Sequence, residues 1–326
     1  MTVELIQGLL LSFAIVVILM NPYIRLLGAT GFRKQIRVEG PQSHYVKEGT
    51  PTMGGLLIVL VVLGIYLFLK KPDASTFAPL VTLASVGALG AFDDYLNAKT
   101  GEGIRARQKL IWLTVVAIVA AYQIQSTYAI TAIAVPYVGP VAIDPMVYIF
   151  FAAFAIIAAA NGVNITDGLD GLSGGTTAIA FVAFMFIALL NAPLAQPNLA
   201  LLCALIIGAL LGFLWFNVHP AQIFIGDSGA LSLGATLAVT ALITGQILVL
   251  PLIGIIFVVE TLSVIFQVAY FRVTGGKRLF RMSPIHHHFE LAGWNEEKIT
   301  VRFWIIGILA SLLGVTLFLA SLHQLK

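Results

Sequence analysis

Apolar runs recur along the whole chain, and they constrain its fold more than any other feature. A helix needs roughly 20 mainly apolar residues to cross a bilayer, where lipid offers the backbone no hydrogen-bond partner. Only 10% of the residues are charged, against about 25% in soluble domains. The sequence therefore predicts an all-α polytopic membrane protein in which residues 1–326 form a single integral membrane domain. We expect ten transmembrane helices, near residues 4–27, 53–69, 77–92, 109–124, 146–161, 175–191, 198–217, 229–244, 248–270 and 301–322.

The basic residues are distributed asymmetrically between the loops. Alternate loops carry fifteen of the eighteen, namely Arg25, Arg33, Lys34, Arg37, Lys47, Lys99, Arg105, Arg107, Lys109, Arg272, Lys277, Arg278, Arg281, Lys298 and Arg302. The opposite side has only Lys70, Lys71 and Lys326. Because basic loops stay in the cytosol, we expect both termini on the periplasmic or extracellular side. This placement accounts for the basic residues, so nucleic acid is not an expected partner.

The remaining outside segments are short. Between the fourth and fifth runs, "TYAITAIAVPYVGPVAID" alternates enough to predict a small hairpin, with Gly139 and Pro140 as turn signals. Cys203 is the single cysteine and lies in an apolar run, so neither a disulfide framework nor a cysteine metal site is expected.

Aspartates from three loops are predicted to meet at the cytosolic face. Asp93 and Asp94 end the third run, Asp167 and Asp170 follow the fifth, and Asp227 follows the seventh. Two of these loops are rich in Gly, Asn and Asp and have no Lys or Arg. Glycine permits close approach of a ligand to the backbone, and oxygen-rich loops suit Mg²⁺. With the basic loops around them, these aspartates predict a site for a phosphorylated substrate carried with Mg²⁺.

Spacing separates the aspartates further. Asp167 and Asp170 share a face if their segment is helical. Asp93 and Asp94 diverge by about 100° on a helix, so we expect one to face the metal or phosphate and the other to hold a Lys or a backbone amide.

The stretch "SPIHHHFE", Ser283–Glu290, places three histidines in a charged island. No Cys or HExxH pattern accompanies them, which disfavours a zinc site. We expect a short amphipathic element on the membrane face whose imidazoles contact the sugar-phosphate or pyrophosphate; a plain polar turn is the alternative. Glu260, inside the ninth run, is a second unusual group, and its role stays open between function and helix stabilisation.

Together these motifs resemble the polyprenyl-phosphate N-acetylhexosamine-1-phosphate transferase superfamily. The closest resemblance is to the MraY-type phospho-N-acetylmuramoyl-pentapeptide transferases. The matching segments, in family order, are "KEGTPTMGG" (47–55), "FDDYLN" (92–97), "NGVNITDGLDGL" (161–172), "NVHPAQIFIGDSGALSLG" (217–234) and "SPIHHHFELAGW" (283–294). The aspartate-rich loops are typical of the superfamily, whereas the triple histidine and "PTMGG" indicate the muramoyl-pentapeptide branch.

The resemblance implies a Mg²⁺-dependent enzyme of the bacterial cell membrane, with its active-site cleft facing the cytosol. Such an enzyme transfers phospho-N-acetylmuramoyl-pentapeptide from UDP-MurNAc-pentapeptide to undecaprenyl phosphate, forming lipid I and UMP in peptidoglycan synthesis. Homodimerisation is a further expectation from the resemblance.

The resemblance also implies residue roles. Asp227 is the expected Mg²⁺ ligand, and Asp93 and Asp94 are expected to handle the acceptor phosphate, with His286 as a further catalytic candidate. The expected substrate contacts are Lys47, Thr52, Asn164, Asp167, Asp170, Asn217, Phe224, His287 and His288. Whether an aspartate acts as base, orienting group or covalent nucleophile is open, although an acceptor phosphate with a second pKa near 6 is already mostly dianionic at neutral pH.

Two other functions compete with this one. A sister enzyme acting on another UDP-N-acetylhexosamine would have the same aspartate loops. A transporter of a phosphorylated solute would place its site near the bilayer midplane, often between repeated halves. Here the charged groups cluster at one face, which disfavours transport.

Overall fold

The computed structural model describes residues 2–31, 49–191 and 195–324. Within these ranges the chain forms twelve helices and one two-stranded sheet. The elements are α1 (Thr2–Thr30), α2 (Gly54–Leu69), α3 (Phe77–Thr100), α4 (Ala106–Tyr128), β1 (Ala132–Val135), β2 (Gly139–Ala142), α5 (Pro145–Thr166), α6 (Leu172–Leu190), α7 (Pro197–Asn217), α8 (Gly226–Ile243), α9 (Leu250–Ile253), α10 (Ile255–Val273), α11 (Ile285–Glu290) and α12 (Glu296–Gln324).

Each of the ten predicted apolar runs contains or overlaps a long helix, which confirms the all-α membrane class. In the described part of the chain, nine helices are long and apolar enough to cross a membrane. The second run forms α2, which has only 16 residues. That length is about 24 Å at 1.5 Å per residue, shorter than the hydrocarbon core of about 30 Å.

The bundle is built around α7 and α8. About nine-tenths of the spanning segment of each is buried inside the protein, whereas α1, α4, α10 and α12 bury under a third. Small residues allow the close contacts, as in other membrane helices. A Cβ at Gly208 of α7 would lie 2.1 Å from the carbonyl oxygen of Leu9 on α1. The peripheral helices therefore present their apolar sides outward.

The third helix extends beyond the predicted run. It continues to Thr100 and ends at Gly101, whose φ of +76° allows its N–H to bond the carbonyl of Asn97. Asp93 and Asp94 thus lie within α3 rather than at its end, as a correction to the prediction. Apolar periodicity marks where lipid ends but not where the helix ends, because a helix can continue into a polar protein cleft.

The hairpin and the late helix break agree with the sequence. Strands β1 and β2 pair antiparallel, from Ala132 opposite Ala142 to Val135 opposite Gly139. The turn consists of residues 136–138, so Gly139 and Pro140 begin the second strand rather than form the turn. The eighth and ninth runs are separate helices, because α8 ends at Ile243 and α10 starts after Gly254.

Candidate active site

Asp94 caps a helix that is far from it in sequence. One carboxylate oxygen accepts the backbone N–H of Asp227 at 2.9 Å and the other accepts that of Ser228 at 3.1 Å. These are amides in the first turn of α8, which have no partner within the helix. Asp94 is buried and serves as the N-terminal cap that the sequence of α8 itself lacks. Its two oxygens therefore fix the first turn of α8, which carries Asp227.

Asp93 faces a different set of donors. Its Oδ1 accepts the backbone N–H of Ile104 at 2.6 Å, and its Oδ2 accepts Lys109 Nζ at 2.9 Å. The same ammonium lies 2.5 Å from Oδ2 of Asp227. The two adjacent aspartates differ in their partners, since Asp94 holds two backbone amides and Asp93 holds a lysine and one amide. That one of them faces the metal or phosphate stays a prediction. Lys109 bridges two carboxylates from α3 and α8 and offsets their mutual repulsion.

Asn164 completes the cluster from the last turn of α5. Its Nδ2 donates to Oδ1 of Asp227 at 2.8 Å. The ends of α3 and α5 thus meet the starts of α4 and α8 at one end of the bundle. Glycines permit this convergence: a Cβ at Gly226, where φ is +72°, would lie 2.5 Å from Asp94 Oδ2, and one at Gly90 would lie 2.3 Å from the Asp227 carbonyl oxygen. Any side chain at either position would push the aspartates apart.

The loop after α5 is a tight turn held by its neighbours. Asp167 follows the last helical residue, so the segment is not helical and the condition for a shared face of Asp167 and Asp170 is not met. Asp167 Oδ1 accepts the hydroxyl of Ser173 at 3.2 Å. Asp170 is buried, and its Oδ2 lies 3.0 Å from both His219 Nδ1 and the backbone N of Ala221. The loop has no freedom to form a helical turn because these bonds fix it against the α7–α8 connection.

Asn217 links the same two segments. Its Oδ1 accepts the N–H of Gly171 at 3.0 Å and its Nδ2 donates to the carbonyl of Ile223 at 2.8 Å. The side chain is buried, and these bonds occupy one oxygen and one N–H. In this structure Asn217 braces the pocket, while its proposed contact with substrate stays a prediction.

The "PTMGG" segment lies against the "IFIGD" segment. Phe224 donates its backbone N–H to Pro51 at 2.9 Å and accepts that of Gly54 at 2.9 Å, so the two stretches are joined by backbone bonds. Thr52 and Phe224 are both largely buried. This brings two predicted substrate contacts next to the start of α8 and Asp227. Lys47, another predicted substrate contact, lies outside the described residues.

The three histidines lie on the short helix α11 and contact three different partners. His286 is buried and its Nδ1 lies 3.0 Å from Glu260 Oε2. His287 Nδ1 lies 2.6 Å from Glu290 Oε2, and His288 Nδ1 accepts the N–H of Arg281 at 3.1 Å. The predicted short element is confirmed, and it holds His286 inward while His287 and His288 lie nearer the surface.

Sequence reasoning did not single out three residues of this region, and it missed the partner of a fourth. Lys109 was one basic loop residue among many, although it stands where the apolar run of α4 begins. His219 and Glu296 carried no signal, and Glu260 was noticed without its partner. Asp170, His219 and Glu296 offer one metal-ligand atom each within 4.8 Å of one another. Asp227 is not in that group, and Glu296 Oε1 already accepts the backbone N–H of Asp170 at 2.5 Å.

Sequence comparison with known proteins identifies the family of the chain. The chain matches glycosyl transferase family 4 over residues 76–245. It also matches the phospho-N-acetylmuramoyl-pentapeptide-transferase signature 1 over residues 47–59, which covers "KEGTPTMGG".

Relatives of that name match nearly the full length. A protein from Geobacillus sp. (strain WCH70) is 42% identical over 317 residues, covering 95% of this chain and 97% of the relative. Another from Desulfosudis oleivorans is 43% identical, covering 94% and 90%. A third from Rubrobacter xylanophilus is 37% identical, covering 98% and 99%. All three are named phospho-N-acetylmuramoyl-pentapeptide-transferase. The chain therefore belongs to glycosyl transferase family 4 and, within it, to the phospho-N-acetylmuramoyl-pentapeptide-transferases.

Proposed function

We propose that the chain transfers phospho-N-acetylmuramoyl-pentapeptide from UDP-MurNAc-pentapeptide to undecaprenyl phosphate, producing lipid I and UMP. Family membership over the full chain supports the reaction. The observation that carries it is the convergence of Asp93, Lys109, Asn164 and Asp227 at one end of the bundle. This constellation suits a reaction in which two anions must meet, because it combines a fixed cation with oxygen-rich side chains.

The reaction joins the acceptor phosphate to the sugar-linked phosphorus of the donor. An acceptor oxygen forms the new P–O bond while the bond from that phosphorus to the bridging oxygen breaks, and UMP leaves with the electron pair. Lys109 is the described cation closest to the aspartates, and its ammonium can neutralise phosphate oxygens as negative charge collects on the leaving group. Catalysis then comes from positioning and charge neutralisation rather than from protein covalent chemistry.

The bonds of the two adjacent aspartates support direct transfer. Both oxygens of Asp93 have donors, the N–H of Ile104 and Lys109. Both oxygens of Asp94 accept amides of α8. Each of these oxygens already accepts a hydrogen bond, which lowers its reactivity toward phosphorus, and the dianionic acceptor has little need of a base. We propose that Asp93 orients Lys109 and Asp94 orients Asp227.

Mg²⁺ is proposed as the cofactor at Asp227. The carboxylates of Asp227 and Asp93 and the amide of Asn164 lie together, and oxygen is the donor this hard cation prefers. Lys109 pairs with both carboxylates, and its single positive charge leaves one negative charge on the pair, which a cation would offset. When bound, the metal would polarise phosphate oxygens and stabilise developing charge. The group at Asp170, with its backbone and histidine partners, fits a brace better.

The same end of the bundle is proposed to face the cytosol of a bacterial cell. The loop from α3 to α4, which supplies Lys109, also carries Lys99, Arg105 and Arg107, and the positive-inside rule favours the cytosol for it. Both termini would then lie outside. We further propose that residues 1–326 form one transferase unit and that two copies assemble as a homodimer; the shared core around α7 and α8 supports the first.

Recognition of the donor is proposed to be separate from catalysis. The residues proposed to contact the donor are Lys47, Thr52, Asp167, Phe224, His287 and His288. Phe224 beside Asp227 offers an aromatic face for uracil. His287 and His288, near the rim, are proposed to meet the sugar-phosphate.

The test uses purified protein in detergent with undecaprenyl phosphate. UDP-MurNAc-pentapeptide is compared with UDP-GlcNAc, each with Mg²⁺ or EDTA, and UMP and lipid product are followed, with Asp227→Asn as the inactive control. Mg²⁺-dependent UMP and lipid I from the muramoyl donor alone are expected. Turnover of UDP-GlcNAc instead would favour the sister enzyme, and no turnover by either donor beside an active relative would overturn the proposal.

A further inference from the structure

A buried acid–histidine pair lies beside the aspartate loop and is not used by the mechanism above. Glu260 of α10 and His286 of α11 are 0% and 1% exposed, and Oε2 of the first lies 3.0 Å from Nδ1 of the second. The pair joins two elements 26 residues apart. Buried charged and polar groups are normally fully hydrogen-bonded.

This pair is incompletely satisfied on both sides. Among the residues that the structure describes, Oε1 of Glu260 and Nε2 of His286 are buried and have no hydrogen-bond partner. Each member therefore makes one bond, to the other member, and keeps its second polar atom unused. A pair kept only to hold α10 and α11 together would be better served by apolar side chains.

Nε2 of His286 is directed at the glycine turn between the two loop aspartates. A Cβ placed on Gly168 would lie 2.1 Å from that nitrogen and 2.7 Å from Cε1. The imidazole thus lies directly against the backbone that connects Asp167 to Asp170, and only glycine leaves room for it. A shift of the ring must move this turn, and a shift of the turn must move the ring.

Glu260 lies level with the end of α5, which leads into the aspartate turn. Phe257, three residues before it, and Thr261, the next residue, pack against Gly162 near the end of α5, where a Cβ would lie 3.2 Å from Cβ of Phe257 and 3.5 Å from the hydroxyl oxygen of Thr261. The carboxylate is therefore level with the aspartate turn.

The chemistry of the pair defines the state of the ring. A carboxylate that accepts Nδ1–H selects that tautomer and fixes the ring orientation, as acids behind functional histidines do. Nε2 is then the nitrogen presented to the turn. His287 and His288 have other partners, Glu290 and the Arg281 backbone, so neither substitutes for His286.

We propose that Glu260 is a positioning residue that acts through His286. It fixes the Nδ1–H tautomer and seats Nε2 against Gly168, so that the turn carrying Asp167 and Asp170 takes the conformation that receives the UDP-sugar. This rests on the proposed function for its substrate and on the contacts above for its geometry. Glu260 itself touches no substrate.

The test combines a structural readout with turnover. In ¹⁵N-histidine-labelled protein, with the His286 signal assigned by its loss in His286→Asn, the wild type is expected to show the Nδ1–H tautomer. Glu260→Gln retains an acceptor and should keep that tautomer, whereas Glu260→Ala should lose it. Wild-type protein with the other tautomer, or Glu260→Ala with an unchanged one, would overturn the proposal without reference to activity.

Turnover gives the second arm. We expect Glu260→Ala to lower kcat/KM for the UDP-sugar about 10- to 100-fold, the range found for groups that orient functional histidines, and Glu260→Gln to recover part of the loss. Thr261→Val is the matched control, since its hydroxyl is also buried and unpartnered on the same turn; it should stay near wild type.

A double variant separates positioning from simple packing. In the His286→Asn background, Glu260→Ala should cost no more than about threefold further, because its effect passes through the ring. Full additivity, or an equal loss in Thr261→Val, would assign Glu260 a packing role and overturn the proposal. Wild-type protein inactive with UDP-MurNAc-pentapeptide but showing the expected tautomer would instead refute the proposed function alone.

Discussion

Removing the carboxylate of Asp94 should destabilise the protein more than removing an equivalent cap at its surface. Asp94→Ala leaves the N–H groups of Asp227 and Ser228 without their acceptors, which now lie at 2.9 and 3.1 Å. An unsatisfied buried donor costs about 1–3 kcal/mol. The Ser228 bond is buried and the Asp227 bond partly so, so we expect a loss of about 2–4 kcal/mol in the free energy of unfolding.

Asp144 provides the matched control. It caps α5 in the same way, accepting the N–H groups of Met146 at 2.8 Å and Val147 at 3.3 Å, but these bonds are exposed. Water can replace the lost acceptor there, so Asp144→Ala should cost only about 0.5–2 kcal/mol.

The assay is unfolding by SDS in mixed micelles, followed by tryptophan fluorescence, with both variants measured beside the wild type. Asp94→Ala should also lose activity, because the displaced amide belongs to Asp227 itself. Equal destabilisation by the two variants, or a greater loss for Asp144→Ala, would refute the argument that burial decides the cost of this cap.

Three further outcomes follow from the contacts. Lys109→Met should lower kcat about 100- to 1,000-fold, the scale for losing one preorganised charge-stabilising group, in the UMP-release assay. Gly55→Ala should cost roughly 1–3 kcal/mol or more, because its Cβ would lie 2.1 Å from an α8 backbone atom, whereas Gly64→Ala meets nothing within 4 Å and should be neutral by thermal denaturation. Burial raises the pKa of Asp73, but bonds from Asn198 and from neighbouring hydroxyls and amides outweigh that effect, so the pKa is lowered. The ionised form therefore contributes stability above the unfolded pKa near 4. Asp73→Asn should lower the melting temperature at pH 7, but progressively less as the pH falls below 4.

Each of these has a clear contrary result. Retained turnover in the lysine variant would remove that ammonium from the mechanism. Similar melting temperatures for the two glycine variants would contradict the close helix contact. A pH-independent difference for the Asp73 variant would show that its hydrogen bonds do not depend on its charge.

Much of the candidate site could be predicted from residue types. Asp93, Asp94 and Asp227 are close together as expected, and Asn164 joins them, because the C-terminal ends of α3 and α5 and the N-terminal end of the oppositely directed α8 fall on one face of the bundle. Their individual roles could not be predicted. Adjacent aspartates in one helix look equivalent in the sequence, but one faces α4 and the other faces the start of α8, and only the packing of α3 determines which.

Local conformation was hard to predict for a similar reason. Spacing alone is compatible with a helix at Asp167, but the segment is a turn, because bonds to Ser173, His219 and the Ala221 backbone hold it in that conformation. The roles expected for the histidines, with His286 catalytic and His287 and His288 on the substrate, stay predictions, but their separate partners could not be predicted. On α11 they separate, and His286 turns inward to an acid that the sequence places 26 residues earlier.

The sequence by itself determined the membrane class, the approximate spans and the chemical character of one face. This follows because a hydrocarbon layer requires helices of a certain length whose backbone N–H and C=O groups are hydrogen-bonded within the helix. A run of consecutive apolar residues is enough to indicate such a helix. The tertiary structure alone decided the partners. Lys109 and Asp227 are 118 positions apart, and their contact depends on how glycine-lined helices pack side by side, which no local pattern of residues records.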